Sequence, residues 1–293
     1  MSHVVPPPLT KGTVKHNARS ELAADRGWRQ RTALACQDLV EAFKLYRLVW
    51  ALAFSDIKLR YRGSAIGPFW LTISTGVQIG AMAFVYADLF HTDIHTYLPY
   101  LCTSIVIWSY LSSMVSNGCT SFVGSDGLIK GSKMPLTVHA IRSVLRDTIT
   151  FGHNLVVIIV VFVVMDVHIS LAALWAIPGL LLWLIDGLAL ALALGAICAR
   201  FRDIPQIANA FMQIAFFVTP VMWSADSLKG HKLAQMVIGL NPFYYLLEIV
   251  RSPLLGDKLT LSDVVWALAI SAVIVVGSLV VFARTRGRIA FWV

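Results

Sequence analysis

The sequence predicts an all-α integral membrane protein with six transmembrane helices, and three observations carry that prediction. Of 293 residues, 57% are hydrophobic and only 14% are charged, against ~25% charged in soluble domains, and mean hydropathy is +0.72. The apolar residues fall in long uncharged runs, of which 63–87 is the first, and such runs exceed the ~20 residues a helix needs to cross hydrocarbon. Lys and Arg gather between alternate runs, the pattern that keeps those loops cytoplasmic.

Residues 1–30 contain Pro6, Pro7, Pro8 and scattered Lys and Arg, with no apolar core of signal-peptide length, and are read as a disordered cytoplasmic tail. Over 31–55, Leu39, Phe43, Tyr46 and Trp50 recur at helical spacing, opposed by Gln37, Asp38, Glu41 and Lys44. Two readings stand: an amphipathic helix lying on the inner leaflet, or a helix packed on the same protein. A basic elbow follows to residue 62, where Lys58, Arg60 and Arg62 sit beside Tyr61, and no Lys or Arg recurs before Lys130. The cluster stays inside and the run behind it inserts, so residues 63–293 form the transmembrane domain.

The spans are expected at about 69–90, 97–123, 148–165, 171–199, 204–225 and 264–283. The loop holding Asp88, His91, Asp93 and His95 is external, whereas the loop with Lys130, Lys133, Arg142 and Arg146 is internal, built as a loop with a short helix. The fourth run is long enough to tilt or break near Pro178 and Gly179. Arg200 and Arg202 precede the fifth span, and Arg284, Arg286 and Arg288 close the chain inside. The uncharged stretch 233–247, interrupted by Asn241 and Pro242, is too short to span and is drawn as part of an external re-entrant hairpin between spans five and six. A seventh span would move the three terminal arginines outside. With six, both termini are cytoplasmic, and all but Lys229, Lys232, Arg251 and Lys258 of the 24 Lys and Arg residues lie inside. Glu248 and Arg251, three apart, are placed to pair.

Little in the chain promises catalysis. There is no G-x-x-x-x-G-K-[ST], H-E-x-x-H or G-x-S-x-G, so no catalytic residue and no ATP site of that kind is expected. Cys36, Cys102, Cys119 and Cys198 form no CxxC pair and read as small apolar filler, with no metal site. The net charge of +8 points to anionic lipid and not to nucleic acid. Within the membrane, Asp186 and His153 are the polar groups of interest, Asp186 as an interhelical hydrogen bond or a proton-relay group. Asn209 and Gln213 share a face and either join helices or line a polar path. The aromatics Trp70, Tyr97, Trp108, Phe216, Phe217, Trp223, Phe243, Tyr244 and Tyr245 are either an interfacial belt or rings along a corridor where sugars stack.

Five motifs in order are more specific: KLRYRGSAIGPFW at 58–70, LIKGSKMP at 128–135, RDIPQ at 202–206 leading into FFVTPVMW at 216–223, LNPF at 240–243 with RSPLLG at 251–256, and the terminal RGRIAFWV at 286–293. Over 34–293 the chain resembles the membrane subunit of type-2 ABC transporters of the polysaccharide-export branch, which moves O-antigen, capsule or teichoic-acid chains. The resemblance implies a permease subunit in the bacterial inner membrane, a homodimer with a central channel, and two copies of a separate ABC ATPase that holds ATP and Mg, with no cofactor in this chain. It assigns ATPase coupling to 31–55 and 124–141, with Phe43, Tyr46, Arg47, Asp126, Arg202 and Asp203 as candidates. It assigns an external gate to about 226–260, with Trp223, Phe243, Tyr244, Tyr245, Glu248 and Arg251. Trp70, Tyr97, Trp108, Asn209, Gln213, Phe216 and Phe217 become candidates for the channel lining. The implied substrate is an undecaprenyl-pyrophosphate-linked polysaccharide, whose anion Lys58, Arg60, Arg62, Lys130 and Lys133 are placed to attract. The alternatives are a type-2 ABC permease for a lipid or drug, a membrane glycosyl- or acyltransferase, and a passive channel.

Overall fold

A computed structural model describes residues 27–64, 67, 69–225 and 231–293. Most of the expected tail, positions 65, 66 and 68 of the elbow, and 226–230 of the expected hairpin lie outside the described residues. Among the described residues every regular element is helical: α1 Trp28–Lys44, α2 Tyr46–Arg60, α3 Phe69–Leu89, α4 Ile94–Thr120, α5 Asp126–Gly131, α6 Leu136–Val164, α7 Ala176–Arg200, α8 Ile204–Val218, α9 Lys232–Leu240, α10 Pro242–Leu255 and α11 Leu261–Trp292, with short 3-10 turns at Val123–Ser125 and Leu171–Trp175.

Among the described residues, five helices are long and apolar enough to cross a membrane: α3, α4, α6, α7 with its preceding turn, and α11. On α3 and α11 most of that apolar surface faces outward, through side chains such as Val77, Phe84, Val273 and Val276. Water disfavours such faces, whereas hydrocarbon accepts them. The helix over the expected fifth span is shorter than the 204–225 run. Proline disfavours a helical conformation in the residue before it, so Thr219, ahead of Pro220, turns extended at ψ 139° and ends α8 at Val218. Its 15 residues reach about 22 Å, short of the ~30 Å core.

Elsewhere the boundaries move for identifiable reasons. The single helix expected over 31–55 is two helices hinged at Leu45, and the second runs on to Arg60. Its buried stripe is the small side of the arm, Ala35, Asp38, Ala42, Val49, Ala53 and Ile57, packed against α6 and α11. The large side, with Phe43, Tyr46 and Trp50, faces outward. The buried stripe fits the reading of a helix packed on the same protein. α6 begins twelve residues before the expected 148, so Arg142 and Arg146 lie on a helix and not in a loop. Its first amides are satisfied from afar: Leu136 N and Thr137 N donate to the Asp38 carboxylate at 3.3 and 2.8 Å, and Thr137 Oγ1 adds a third bond at 2.8 Å. Arg286 of α11 donates to the same carboxylate through Nε at 3.0 Å and a terminal nitrogen at 2.7 Å. Pro178 falls in the first turn of α7, where the missing N–H is harmless, and the irregularity expected there sits earlier, at Leu171–Trp175. α11 continues through Arg284, Arg286 and Arg288 to Trp292.

α4 is the axis of the bundle, packed against α3, α6, α7, α8 and α10. Its closest neighbour is α7, which presents Gly187, Ala191 and Gly195 at every fourth position to Met114, Gly118 and Phe122. Small residues let helix backbones approach where no hydrophobic gain drives them together. A Cβ on Gly118 would lie 3.3 Å from Ala191 Cα, and one on Gly195 would overlap Ser121 Oγ and lie 2.9 Å from the Phe122 ring. Ser121 Oγ donates to the Ala191 carbonyl at 2.9 Å along the same seam. Gly195→Val is expected to lower the unfolding temperature of the detergent-purified protein, overpacking a seam of this kind costing about 1–3 kcal/mol. Gly80→Ala, with open space around its Cβ, is expected to leave it unchanged. Equal unfolding temperatures for the two variants would refute the seam.

Candidate functional site

The site grows from one carboxylate. Asp56, in the last turns of α2, faces α6 and takes a bidentate hydrogen bond from Arg142, whose Nε donates at 2.7 Å. Arg146, one turn further along α6, stands 3.9 Å from the same carboxylate. All three side chains are largely withdrawn from solvent, so each charge needs its partners. Between α2, the end of α4 and the start of α6 these groups bound a cavity of about 420 Å³. Arg60, Thr120, Ser121, Ser125, His139 and Ser143 complete its polar wall. His139 is 1% exposed, and neither ring nitrogen has a hydrogen-bond partner. Arg142 Nη1 and Arg146 Nε are also buried and unpartnered.

Arg60 lines a second cavity, a cleft of about 260 Å³ between α3, α4 and α6. Its polar side chains include Ser109, Ser113, Asn117, Asp147 and Asn154. Asn117 Nδ2 donates to Asp147 Oδ1 at 2.7 Å. Polar groups thus follow α4 and α6 from the basic end into the apolar part of the bundle, a placement that membrane proteins reserve for sites and pathways.

Of the basic residues singled out from the sequence, Lys58, Arg60 and Arg62 are all exposed at the end of α2, and Arg60 alone of the three lines both cavities. Lys130 and Lys133 are exposed around α5, with Lys130 4.0 Å from Asp126 across one turn. Phe43, Tyr46 and Arg47 lie on the outward face of the α1–α2 arm, where Arg47 Nε donates to Tyr46 Oη at 3.0 Å. Asp203 and Arg202 are exposed before α8, and Arg202 reaches the Trp292 carbonyl at 3.4 Å.

The candidate lining residues divide. Tyr97 and Trp108 are core side chains: Tyr97 Oη donates to the Met222 carbonyl at 2.7 Å, and the Trp108 ring packs 5.9 Å from Phe216 and 5.5 Å from Phe243. Trp70, Asn209, Gln213 and Phe217 are exposed, and Asn209 Oδ1 accepts from Ser116 at 2.6 Å. His153 bonds the Ile149 carbonyl of its own helix through Nδ1 at 2.8 Å, and Asp186 accepts from Ser271 Oγ at 2.6 Å, joining α7 to α11.

Among the gate candidates Arg251 is 2% exposed. It pairs with Glu248, donates to Tyr100 Oη and Ser104 Oγ at 2.9 Å and to the Pro220 carbonyl at 2.5 Å, and lies 4.6 Å over the Tyr100 ring. Trp223 Nε1 donates to the Phe217 carbonyl at 3.3 Å, Tyr245 Oη to the Gly239 carbonyl at 2.9 Å, and the Tyr244 and Tyr245 rings meet at 5.3 Å.

Apolar helices long enough to cross a membrane, packed around a polar cleft, are the architecture of a membrane protein. The ABC-2 type transporter family model matches residues 47–255, well over half the chain, and the chain belongs to that family. It is thus a multi-pass membrane protein of the transport-subunit type. It is similar to the O-antigen export system permease protein RfbA of Klebsiella pneumoniae, 21% identical over 247 residues that cover 84% of this chain and 95% of the relative. It is also similar to the protein of that name from Myxococcus xanthus, 22% identical over 254 residues that cover 86% and 98% of the two chains.

Removing Asp56 leaves the two largely buried guanidiniums of Arg142 and Arg146 side by side without their shared counter-charge. Asp56→Asn is expected to destabilise the protein by about 3 kcal/mol, and pairing Asp56→Ala with Arg142→Ala is expected to cost less than the sum of the single changes. Thermal unfolding in detergent measures both, and strictly additive losses would show the ion pair to be inert.

Proposed function

We propose that this chain is the permease subunit of an ATP-driven exporter that moves a lipid-linked polysaccharide, O-antigen foremost, from the cytoplasmic to the outer side of the bacterial inner membrane. The observation that carries the reading is the near end-to-end similarity to two O-antigen export permeases, together with membership of the ABC-2 family. Two copies work with two copies of a separate ABC ATPase. ATP and Mg belong to that partner, in keeping with the missing phosphate-loop motif in this sequence.

In this reading α8 is the fifth of six spans and α11 the sixth, both termini are cytoplasmic, and α9 and α10 form the external re-entrant hairpin between them. The outward face of the α1–α2 arm, with Phe43, Tyr46 and Arg47, receives the ATPase alongside Asp126 of α5 and the Arg202–Asp203 corner. A polysaccharide is too hydrophilic for hydrocarbon and needs a polar or aromatic passage. The exposed Trp70, Asn209, Gln213 and Phe217 face that passage in the dimer. The undecaprenyl pyrophosphate of the substrate approaches from the basic end, where Lys58, Arg60, Arg62, Lys130 and Lys133 each contribute ~1 kcal/mol of attraction to an anionic surface.

Deleting the gene in its host is expected to leave completed lipid-linked glycan inside the cell, with surface glycan restored by the wild-type chain. Surface glycan that persists in the deletion strain, or glycosyl or acyl transfer by the purified chain, would end the export reading. For topology, Tyr245→Cys in a background lacking the exposed Cys36 is expected to react with an impermeant reagent added outside intact spheroplasts. Labelling from the cytoplasmic side alone would remove the six-span arrangement.

A further inference from the structure

The cavity of about 420 Å³ between α2, α4 and α6 has the volume of roughly fourteen waters, yet its wall is more than a solvent pocket requires. Three guanidiniums, from Arg60, Arg142 and Arg146, meet there against the single carboxylate of Asp56, with Asp147 3.9 Å behind Arg146. Ser121 and Ser143 add hydroxyls. The decisive group is His139. A buried imidazole normally satisfies at least one nitrogen, but His139 lines the cavity at 1% exposure with both nitrogens unpartnered. Arg142 Nη1 and Arg146 Nε make no hydrogen bond either, although Asp56 fixes the Arg142 side chain through a bidentate pair and Arg146 Nε stands 3.9 Å from Asp147. Preorganised, unspent N–H donors from several directions, with positive charge in excess, match a ligand that carries several acceptor oxygens and negative charge.

We propose that this cavity is a binding site for a phosphate or pyrophosphate group, held by His139, Arg142 and Arg146, with Arg60 at the junction with the α3/α4/α6 cleft. Asp56 is a positioning residue that fixes Arg142. The phosphate can arrive on a polyprenyl carrier, on a phospholipid headgroup or free in solution. Only the first source rests on the export reading; the site itself does not. The exposed lysines 58, 130 and 133 lie outside the cavity wall and serve at most to draw the anion in.

The test uses the purified full chain in a neutral detergent, with radiolabelled inorganic pyrophosphate as the probe and size-exclusion profile and unfolding temperature as controls. Saturable binding is expected. Arg60→Gln and His139→Phe are each expected to weaken it about tenfold, the order of one charge-assisted hydrogen bond. Neither variant removes a partner of Asp56, and His139→Phe keeps a ring in the buried space, so a merely structural histidine would tolerate it. Arg146→Lys, keeping charge without the planar fork, is expected to fall between wild type and Arg146→Gln. Competition then identifies the source. Displacement of the probe by polyprenyl pyrophosphate at lower concentration than by phosphatidylglycerol ties the site to a lipid-linked substrate. Equal competition by the two lipids, or stronger competition by phosphatidylglycerol, keeps the phosphate site while breaking its link to the export reading. No saturable binding, or binding undiminished in both Arg60→Gln and His139→Phe with the fold intact, would overturn the proposal.

Discussion

A carboxylate at 1% exposure is costly unless its oxygens are fully bonded, and that constraint, applied to Asp38, orders the basic end of the molecule. Its oxygens are taken by the Leu136 and Thr137 amides, the Thr137 hydroxyl and the Arg286 guanidinium. One side chain of α1 therefore sets where α6 starts and where α11 passes. Because α6 starts there, Arg142 and Arg146 are carried on a rigid helix to face Asp56, and the polar cavity exists only in that register. The sequence of causes runs from a buried charge to a helix start to the geometry of a site.

The opposite end of α4 obeys the same rule with the signs exchanged. There the buried charge is a cation, Arg251, satisfied by Glu248, Tyr100, Ser104 and the Pro220 carbonyl. Pro220 has two roles: its ring ends α8, and its carbonyl accepts from Arg251. Asn241 adds a second tie by donating to Thr219 Oγ1 at 2.9 Å while accepting from the Phe243 amide. Between the two charged ends the bundle relies on close contact, through Gly118, Gly187 and Gly195 and the stack of Tyr110 on Phe151 at 4.4 Å.

The helical, membrane-crossing class was legible because hydrocarbon excludes charge, so gaps in Lys and Arg mark spans directly. Boundaries were less legible where a distant residue decides them. Nothing near Leu136 reveals that Asp38 caps its helix, and α6 was therefore expected twelve residues late. The early end of α8 was readable, since Pro220 is in plain view and constrains Thr219. In the site, Arg60 was identified from its cluster, but Arg142 and Arg146 were read as orientation charges because their partner Asp56 lies 86 positions away from Arg142. His139 went unnoticed, although 139, 142, 143 and 146 repeat at the spacing of one helix face, and that periodicity was the available signal. The pair of Glu248 and Arg251 was visible as a local pattern, whereas the burial of Arg251 came from Tyr100 and Ser104, about 150 positions upstream.

The hinge at Leu45 has a mechanical consequence. Both halves of the arm are fastened to the same helix: α1 at Leu136 and Thr137 through Asp38, and α2 at Arg142 through Asp56. The attachments lie about 9 Å apart along the α6 axis. A rod gripped at two points cannot slide past its grip, so any load on the arm reaches α6 as torque, and the twelve residues ahead of position 148 act as its crank.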